Sequence, residues 1–172
     1  KSINNFFNLK NVKKQKKLIN KTSIICASNV ICHIPNLVDL IKSVKLLLDN
    51  NGKFIFEEPY LGSMYKKVSY DQIYDEHIFM FSASSIKKIF KLFGMYLNDC
   101  IPQMTHGGSM RYVVSKKNSS SQRLTNILKY EKKNKIDKID AALKFKKNCL
   151  ESKTLFKKKI INLKKKGNKV CG

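Results

Sequence analysis

Residues 23–58 contain two short apolar runs separated by an amphipathic stretch with helical periodicity. The first run, residues 23–27 (SIICA), and the last, residues 53–58 (KFIFEE), have the length and composition of buried strands. Pro35 stands near the start of the intervening helix, and NNG at residues 50–52 is typical of the turn that ends one. The apolar residues that share one face of this helix are Leu37, Leu40, Ile41, Val44, Leu47 and Leu48. A strand–helix–strand unit predicts an α/β fold with a parallel sheet and a right-handed crossover.

The position of a binding site follows from this topology. Ligands of open α/β sheets bind beyond the carboxyl ends of the parallel strands. Those ends correspond to residues 28–29 after the first run and to residues 57–60 after the second. We therefore expect functional side chains in these two segments and in loops that can reach them.

The middle of the chain predicts one further helix and two further strands. Residues 82–93 place four apolar side chains on one helical face, and Gly94 is a suitable residue to end it. Residues 95–101 and 109–115 are predicted strands. Because the connection between them is short, they should be antiparallel neighbours.

Both ends of the chain are rich in lysine. Residues 3–19 suggest a basic amphipathic helix, in which Phe6, Phe7 and Leu9 make the apolar contacts. Residues 124–166 predict two helices with a joint near Asn134, after which the segment from Gly167 to the end resembles a turn entering a new strand. An apolar stripe in the second half should pack against a core, and its members are Ile136, Ile139, Leu143 and Leu150.

The formal net charge of +23 raises the possibility of nucleic-acid binding. However, residues 20–115 have a net charge of only +2, so the excess lies on the flanking helices. Only Arg111 and Arg123 are arginines, although phosphate-binding surfaces favour the bidentate guanidinium. We expect segment 116–169 to be mainly a solvated helical surface, and a basic RNA- or anion-binding module remains the alternative.

Cysteine spacing and hydropathy restrict the compartment and the metal content. The five cysteines form no C-x-x-C pair, which argues against a self-contained zinc site, and no metal is expected in this chain. Cys26 and Cys100 are expected to be small buried hydrophobic residues. No apolar run approaches the roughly 18–20 residues of a membrane span, so we expect a soluble, cytoplasmic protein.

The three histidines lie in or beside the predicted ligand edge. His33 follows the first strand by a few residues, and His77 ends the segment YDEH at residues 74–77. A phenol, two carboxylates and an imidazole can together remove a proton from carbon, although a polar turn explains the same residues. His106 begins the segment HGGS at residues 106–109, whose glycines allow close ligand approach or simply a hairpin turn.

Four segments in order resemble the sugar C-methyltransferase family, whose members methylate a ring carbon of deoxysugar nucleotides. They are NVICHIPN at residues 29–36, FEEPYL at 56–61, IYDEH at 73–77 and THGGSMR at 105–111. The resemblance implies an α/β fold, namely the C-terminal half of a Rossmann-like class I methyltransferase sheet followed by helices leading into a second Rossmann-like domain. The implied division is residues 1–116 for the methyltransferase part and 117–172 for the helical start of the second domain.

Compared with that family, the chain lacks an N-terminal zinc-binding domain and the glycine-rich loop that holds S-adenosylmethionine. We therefore expect a fragment that is inactive alone and that binds S-adenosylmethionine weakly or not at all. Zinc would belong to the absent domain and not to this chain. The expected partner is a sugar-nucleotide substrate, without a specific nucleic acid or a membrane. We expect a monomer, although the oligomeric state stays open.

The resemblance also implies roles for individual residues. A base would remove the proton next to a ketone, and the enolate would then take the methyl group. His77 is the leading base, Glu76 is its rival, and the remaining catalytic candidates are Tyr74 and His33. Asn29 and Ala27 would line the cofactor site. The residues implied to contact the sugar or its diphosphate are His106, Ser109 and Arg111. A class I methyltransferase with a non-sugar substrate remains a further alternative.

Overall fold

The computed structural model describes residues 2–171 and consists of a four-stranded sheet with helices on one face. The strands are β1 (Thr22–Ser28), β2 (Leu48–Pro59), β3 (Tyr96–Gln103) and β4 (Ser109–Ser115). The helices are α1 (Leu9–Lys13), α2 (Leu37–Leu47), α3 (Leu61–Lys67), α4 (Ala83–Leu92), α5 (Gln122–Lys133) and α6 (Ile139–Lys165). Short 3₁₀ turns occupy Ile31–His33, Tyr70–Gln72 and Thr105–Gly107.

The strand order is β1-β2-β4-β3, with β1 and β2 parallel and the other two pairings antiparallel. The predicted strand–helix–strand unit and the predicted antiparallel pair are therefore confirmed, as is the α/β fold class. The expected turn at residues 50–52 is wrong, because β2 begins at Leu48 directly after α2 and includes these residues. Helix α2 connects the parallel strands and begins at Asn36, whose side chain accepts a hydrogen bond from the Asp39 amide at 3.0 Å. The third strand begins one residue later than expected and continues to Gln103.

One face of the sheet forms the core. Phe54 and Phe56 alternate with outward-facing residues along β2, and their rings stack at 4.8 Å between centroids. Phe56 also stacks on Tyr112 of β4 at 5.0 Å and on Phe90 of α4 at 5.7 Å. Burial raises the pKa of Tyr112 well above its ordinary value, because no water solvates a phenolate there.

Helix α5 joins this core through a buried carboxylate. Glu131 accepts hydrogen bonds from the backbone amides of Ala83 and Ser84, at 2.7 and 2.8 Å, and from the Tyr60 hydroxyl at 3.0 Å. A carboxylate at the N-terminus of α4 satisfies amides that lack partners within the helix. Leu124 of the same helix is fully buried, so α5 is anchored at both ends.

The other face of the sheet is open, and this overturns two expectations. Strand β1 was predicted to be buried, but Ile24 is 60% exposed and Cys26 is exposed on the open face. Burial of a strand depends on a layer covering each face, and no helix within residues 2–171 covers this one. Cys100 points into the core and is fully buried, as predicted.

The terminal segments also differ from expectation. The predicted helix over residues 3–19 is reduced to α1, because Asn8 caps a helix that begins only at Leu9, and Phe6 is 88% exposed. The predicted joint near Asn134 is confirmed. Of the expected apolar stripe only Ile136 is buried, because α6 turns Phe145 toward the protein, and the exposed members are Ile139, Leu143 and Leu150. Residues 168–171 form no strand, and residue 172 lies outside the described part.

Within the expected basic surface of residues 116–169, every lysine from Lys117 to Lys169 is exposed, whereas Lys116 is partly buried and its Nζ donates to the backbone oxygen of Leu48. No helix within residues 2–171 combines the length and the apolarity needed to cross a bilayer.

The ion pair between Asp99 and Arg123 predicts a pH-dependent contribution to stability. The Arg123 hydrogen bonds, aided by Ser121, lower the pKa of Asp99 from 3.8 to about 2. Because the pKa of Asp99 is lower in the folded than in the unfolded protein, its carboxylate stabilises the fold at pH values above the unfolded-state pKa. This contribution is lost as the pH falls from about 4 to about 2. We expect Asp99→Asn to lower the free energy of unfolding by about 1–2 kcal/mol at pH 7. The difference from wild type should shrink between about pH 4 and about pH 2 in urea titrations and be smallest below that range, and a constant difference would contradict the assignment.

Candidate functional site

The carboxyl ends of β1 and β2 are joined by Glu58, a fully buried residue. Its carboxylate accepts hydrogen bonds from the backbone amides of Val30, Ile31 and Cys32, at 3.0, 2.7 and 3.3 Å. These amides begin the 3₁₀ turn that carries His33, so Glu58 sets the position of that histidine. This role of Glu58 was not predicted, although an acidic residue at the end of an apolar strand is a signal for it.

The turn places His33 beside His77, with 5.0 Å between the two ring centroids. The Nδ1 atom of His33 lies 2.7 Å from the backbone oxygen of Glu76. A carbonyl oxygen can only accept, so Nδ1 carries the proton and a neutral His33 keeps a lone pair on Nε2. The segment YDEH thus meets the strand end through the backbone of Glu76, whose own side chain is exposed.

His77 is held on both ring nitrogens. Its Nδ1 atom donates to the backbone oxygen of Gln72 at 2.8 Å, and its Nε2 atom lies 2.8 Å from the Tyr74 hydroxyl. Because Nδ1 carries the proton in the neutral ring, the tyrosine hydroxyl donates to Nε2. The geometry therefore forms a tyrosine–histidine pair in which His77 can take a proton from Tyr74.

Cys32, His33 and His77 each offer one ligand atom, and these three atoms lie within 4.8 Å of one another. A metal ion would need the cysteine as a thiolate. Burial, followed by the hydrogen bond and charge of Glu58, raises the pKa of the Cys32 thiol to about 12. Cys32 is therefore a neutral thiol in the absence of a metal, and both ring nitrogens of His77 are already engaged by Tyr74 and Gln72.

A second polar cluster surrounds Glu57, which lies on the open face of the sheet. Its carboxylate accepts from the hydroxyls of Thr105 and Ser109, at 2.7 and 2.6 Å, and from the guanidinium of Arg111 at 3.1 Å. The Ser109 hydrogen bond is the largest of the effects that lower the pKa of Glu57, so the carboxylate is ionised at neutral pH. The predicted substrate residues Ser109 and Arg111 do lie together, and Glu57 belongs to the strand end where functional side chains were expected, although its contacts with Thr105, Ser109 and Arg111 were not predicted.

Asn29 follows β1 and adopts a left-handed backbone conformation with φ of 51°. The backbone N–H of Asn29 donates to the backbone oxygen of Glu57 at 2.8 Å. The buried side-chain oxygen Oδ1 of Asn29 has no hydrogen-bond partner within residues 2–171. A buried acceptor without a partner is costly unless a ligand supplies a donor. Ala27 and Ser28 border the same edge, beside an open groove of about 670 Å³ on the uncovered face.

His106 is exposed on the turn before β4, with φ of 48°. No hydrogen bond within residues 2–171 joins it to His33 or His77. The structure thus brings together two of the three predicted histidines and leaves the third on a separate turn.

Comparisons with known proteins identify the family of this chain. Residues 2–98, more than half of the chain, match the family model described as a methyltransferase domain. The chain belongs to the methyltransferase-domain family. Residues 104–172 match a second model, described as the C-methyltransferase C-terminal domain.

Among curated proteins, the C-methyltransferase NovU of Streptomyces niveus is 35% identical over 78 residues. The match covers 45% of this chain but only 19% of NovU. Among solved structures, a SAM-dependent methyltransferase from Anabaena variabilis is 14% identical with a TM-score of 0.43, over 62% of this chain and 53% of that one. The CMeT domain of the citrinin polyketide synthase is 15% identical with a TM-score of 0.41, over 59% and 29% of the two chains. Both TM-scores are low.

Proposed function

We propose that this chain forms part of an S-adenosylmethionine-dependent C-methyltransferase that acts on a keto-deoxysugar nucleotide through an enolate. The observation that carries the proposal is the Tyr74–His77 pair beside His33 at the carboxyl edge of the sheet. The C-methyltransferase C-terminal match and the similarity to NovU support methylation at carbon. Methylation of a carbon next to a ketone requires a base that removes the proton from that carbon. Methylation of a hydroxyl or an amine relies less on such a base.

Proton removal follows from the hydrogen bonds of the site. In the neutral pair Tyr74 donates to His77, so the tyrosine oxygen can accept a substrate proton only after passing its own proton to Nε2. Alternatively the substrate displaces Tyr74, and Nε2 of His77 accepts the proton directly. In both routes the Gln72 carbonyl holds Nδ1–H and stabilises the imidazolium that forms. His33, with Nε2 unbonded to protein within residues 2–171, can donate to the developing oxyanion when protonated.

The cofactor would lie at the end of β1. Asn29 presents the unpartnered Oδ1 atom, which fits an N–H donor of the cofactor, and Ala27 leaves room beside the strand. S-adenosylmethionine, when bound there, supplies an electrophilic methyl group. The protein's part is to orient the acceptor carbon, to remove its proton and to hold the charge left on the ketone oxygen.

Product analysis tests this function. Full-length enzyme should transfer a ¹³C-methyl group from labelled S-adenosylmethionine to a keto-deoxysugar nucleotide, and the product should show one-bond carbon–carbon coupling in its NMR spectrum. A methyl signal with the shift of an O-methyl or N-methyl group would contradict the proposal. Failure to methylate sugar nucleotides, with transfer to another class of acceptor, would favour the non-sugar alternative.

We also propose a cytoplasmic protein that works as a monomer, without a membrane or a specific nucleic-acid partner. Its five cysteines are all free, as expected in a reducing compartment. The lysines of α5 and α6 are exposed to solvent and are not interleaved with a stack of aromatic side chains, as single-strand binding would require.

A further inference from the structure

The turn before β4 is shaped by close contacts with the helix that follows β2. Gly107 and Gly108 have φ of 74° and 120°, in the region that favours glycine. A Cβ atom on Gly108 would lie only 2.7 Å from Cβ and Oγ of Ser63, and 3.4 Å from Nζ of Lys67. A Cβ atom on Gly107 would lie 3.5 Å from Oγ of Ser69. Both glycines therefore let polar side chains lie directly against the backbone of the turn.

These three side chains come from one short segment. Ser63 and Lys67 are four residues apart in α3 and so share a face of the helix. Ser69 follows directly after Val68, the left-handed residue that ends α3. The Gly108 carbonyl accepts from the Tyr60 amide at 3.2 Å, which fixes the turn against the start of the same helix.

Within residues 2–171, no hydrogen bond or ion pair engages the side-chain polar groups of Ser63, Lys67 and Ser69. An ammonium group and two hydroxyls thus converge on the glycine turn, in which Gly107 is exposed, and no acceptor in the described part of the chain engages them. The nearby carboxylate of Glu57 is already neutralised by Arg111 and two hydroxyls. A phosphate-type anion is the ligand that satisfies such donors, because each phosphate offers several acceptor oxygens and a negative charge.

We propose that Ser63, Lys67, Ser69 and the Gly107–Gly108 turn bind a diphosphate, that of the sugar-nucleotide substrate. The identity of the ligand as a sugar nucleotide rests on the proposed function, whereas the anion site itself does not. It assigns to Lys67 the leading charge that the sequence resemblance gave to Arg111, whose guanidinium donates to Glu57. The turn precedes Ser109 at the edge of the sheet where β2 ends, so the sugar would extend toward the catalytic edge.

The chain supplies a matched control in Lys66. It is exposed, adjacent in sequence and identical in charge, but it lines the cavity between α3, α5 and α6 beside Tyr65 and Phe145. Substituting Lys66 or Lys67 by Gln changes the net charge equally, and only the second change removes a group from the glycine turn.

The test measures binding of inorganic pyrophosphate and of the sugar nucleotide to full-length protein by titration calorimetry. We expect Lys67→Gln to weaken pyrophosphate binding about 10-fold or more, since it removes a charge-assisted hydrogen bond. The same variant should raise the KM for the sugar nucleotide and leave kcat within about twofold, as expected for uniform binding. Lys67→Arg should restore most of the affinity, and Lys66→Gln should change it less than about twofold.

Equal weakening by both Gln variants would show a general effect of net charge and would overturn the proposal, as would no weakening by Lys67→Gln. Pyrophosphate binding that depends on Lys67 in a protein that methylates no sugar nucleotide would leave the anion site standing and reject the proposed function. If the enzyme methylates the sugar nucleotide but Lys67→Gln does not change its KM, the proposed function stands and the anion site is rejected. Unchanged thermal unfolding of each variant, followed by circular dichroism, shows that the fold is intact.

Discussion

Replacing His77 by Asn in the full-length enzyme is expected to reduce methyl transfer about 10²–10⁴-fold, the usual contribution of a general base. This corresponds to roughly 3–5 kcal/mol of activation free energy. The physical reason is that His77 Nε2 is the acceptor at 2.8 Å from Tyr74, while the Gln72 carbonyl fixes the proton on Nδ1. Affinity for S-adenosylmethionine, measured by calorimetry, should stay unchanged because Ala27 and Asn29 lie in and just after β1, whereas His77 lies in the loop before α4.

Solvent exchange separates the candidate bases. Wild-type enzyme in D₂O should incorporate deuterium next to the ketone of the substrate, and the His77→Asn variant should not. Tyr74→Phe should slow exchange strongly if the proton passes through the tyrosine, and only weakly if Nε2 of His77 accepts it directly. Exchange that persists in His77→Asn and disappears in Glu76→Gln would identify Glu76 as the base, although its carboxylate is exposed in the structure.

Replacing Glu58 by Ala is expected to lower the free energy of unfolding by about 3 kcal/mol, because three backbone amides lose a charged acceptor. The loss should be local as well as global. Hydrogen exchange of the amides of residues 30–32 should accelerate far more than that of the core strands. A matched control is Glu151→Ala in α6, where an exposed carboxylate pairs only with Lys147 and removal should cost less than about 0.5 kcal/mol.

The conservative change Glu58→Gln tests the positioning of His33. It preserves the shape of the side chain but replaces one acceptor oxygen by a donor facing backbone amides. We expect kcat to fall while substrate KM changes little, since His33 is displaced and the substrate-binding turn is not. Retained amide protection at residues 30–32 in both Glu58 variants would contradict the role assigned to this carboxylate.

The order of elements could be predicted because it depends on local pattern. The helical spacing of apolar residues in 37–48 and the bounded apolar runs on either side are sufficient to indicate β1, α2 and β2. The short connection before β4 likewise indicates the antiparallel pair. The order of these elements also predicts the edge of the sheet at which His33 lies, because parallel strands place their carboxyl ends on the same side. The family resemblance rests on four short segments between residues 29 and 111 and agrees with the methyltransferase-domain match.

The burial of individual side chains could be known only from the tertiary structure, because it depends on which other elements pack against them. The composition of β1 cannot show that one of its faces is uncovered, so Cys26 was predicted buried and is exposed. Helical periodicity cannot show which stripe of α6 meets the protein, and the stripe through Leu143 is exposed whereas Phe145 packs on Tyr65.

The sequence by itself determined the fold class, the edge of the sheet that carries the candidate site and the residue types gathered there, because each follows from local periodicity and chain order. Only the tertiary structure decided which contacts those residues make. A hydrogen bond to the Glu76 backbone oxygen, 43 residues away in the chain, places the proton on Nδ1 of His33. Likewise the pairing of β2 with β4 sets Arg111 opposite Glu57, while the packing of α3 leaves Lys67 beside the glycine turn. Such partners are far apart in the chain, and only folding brings them together.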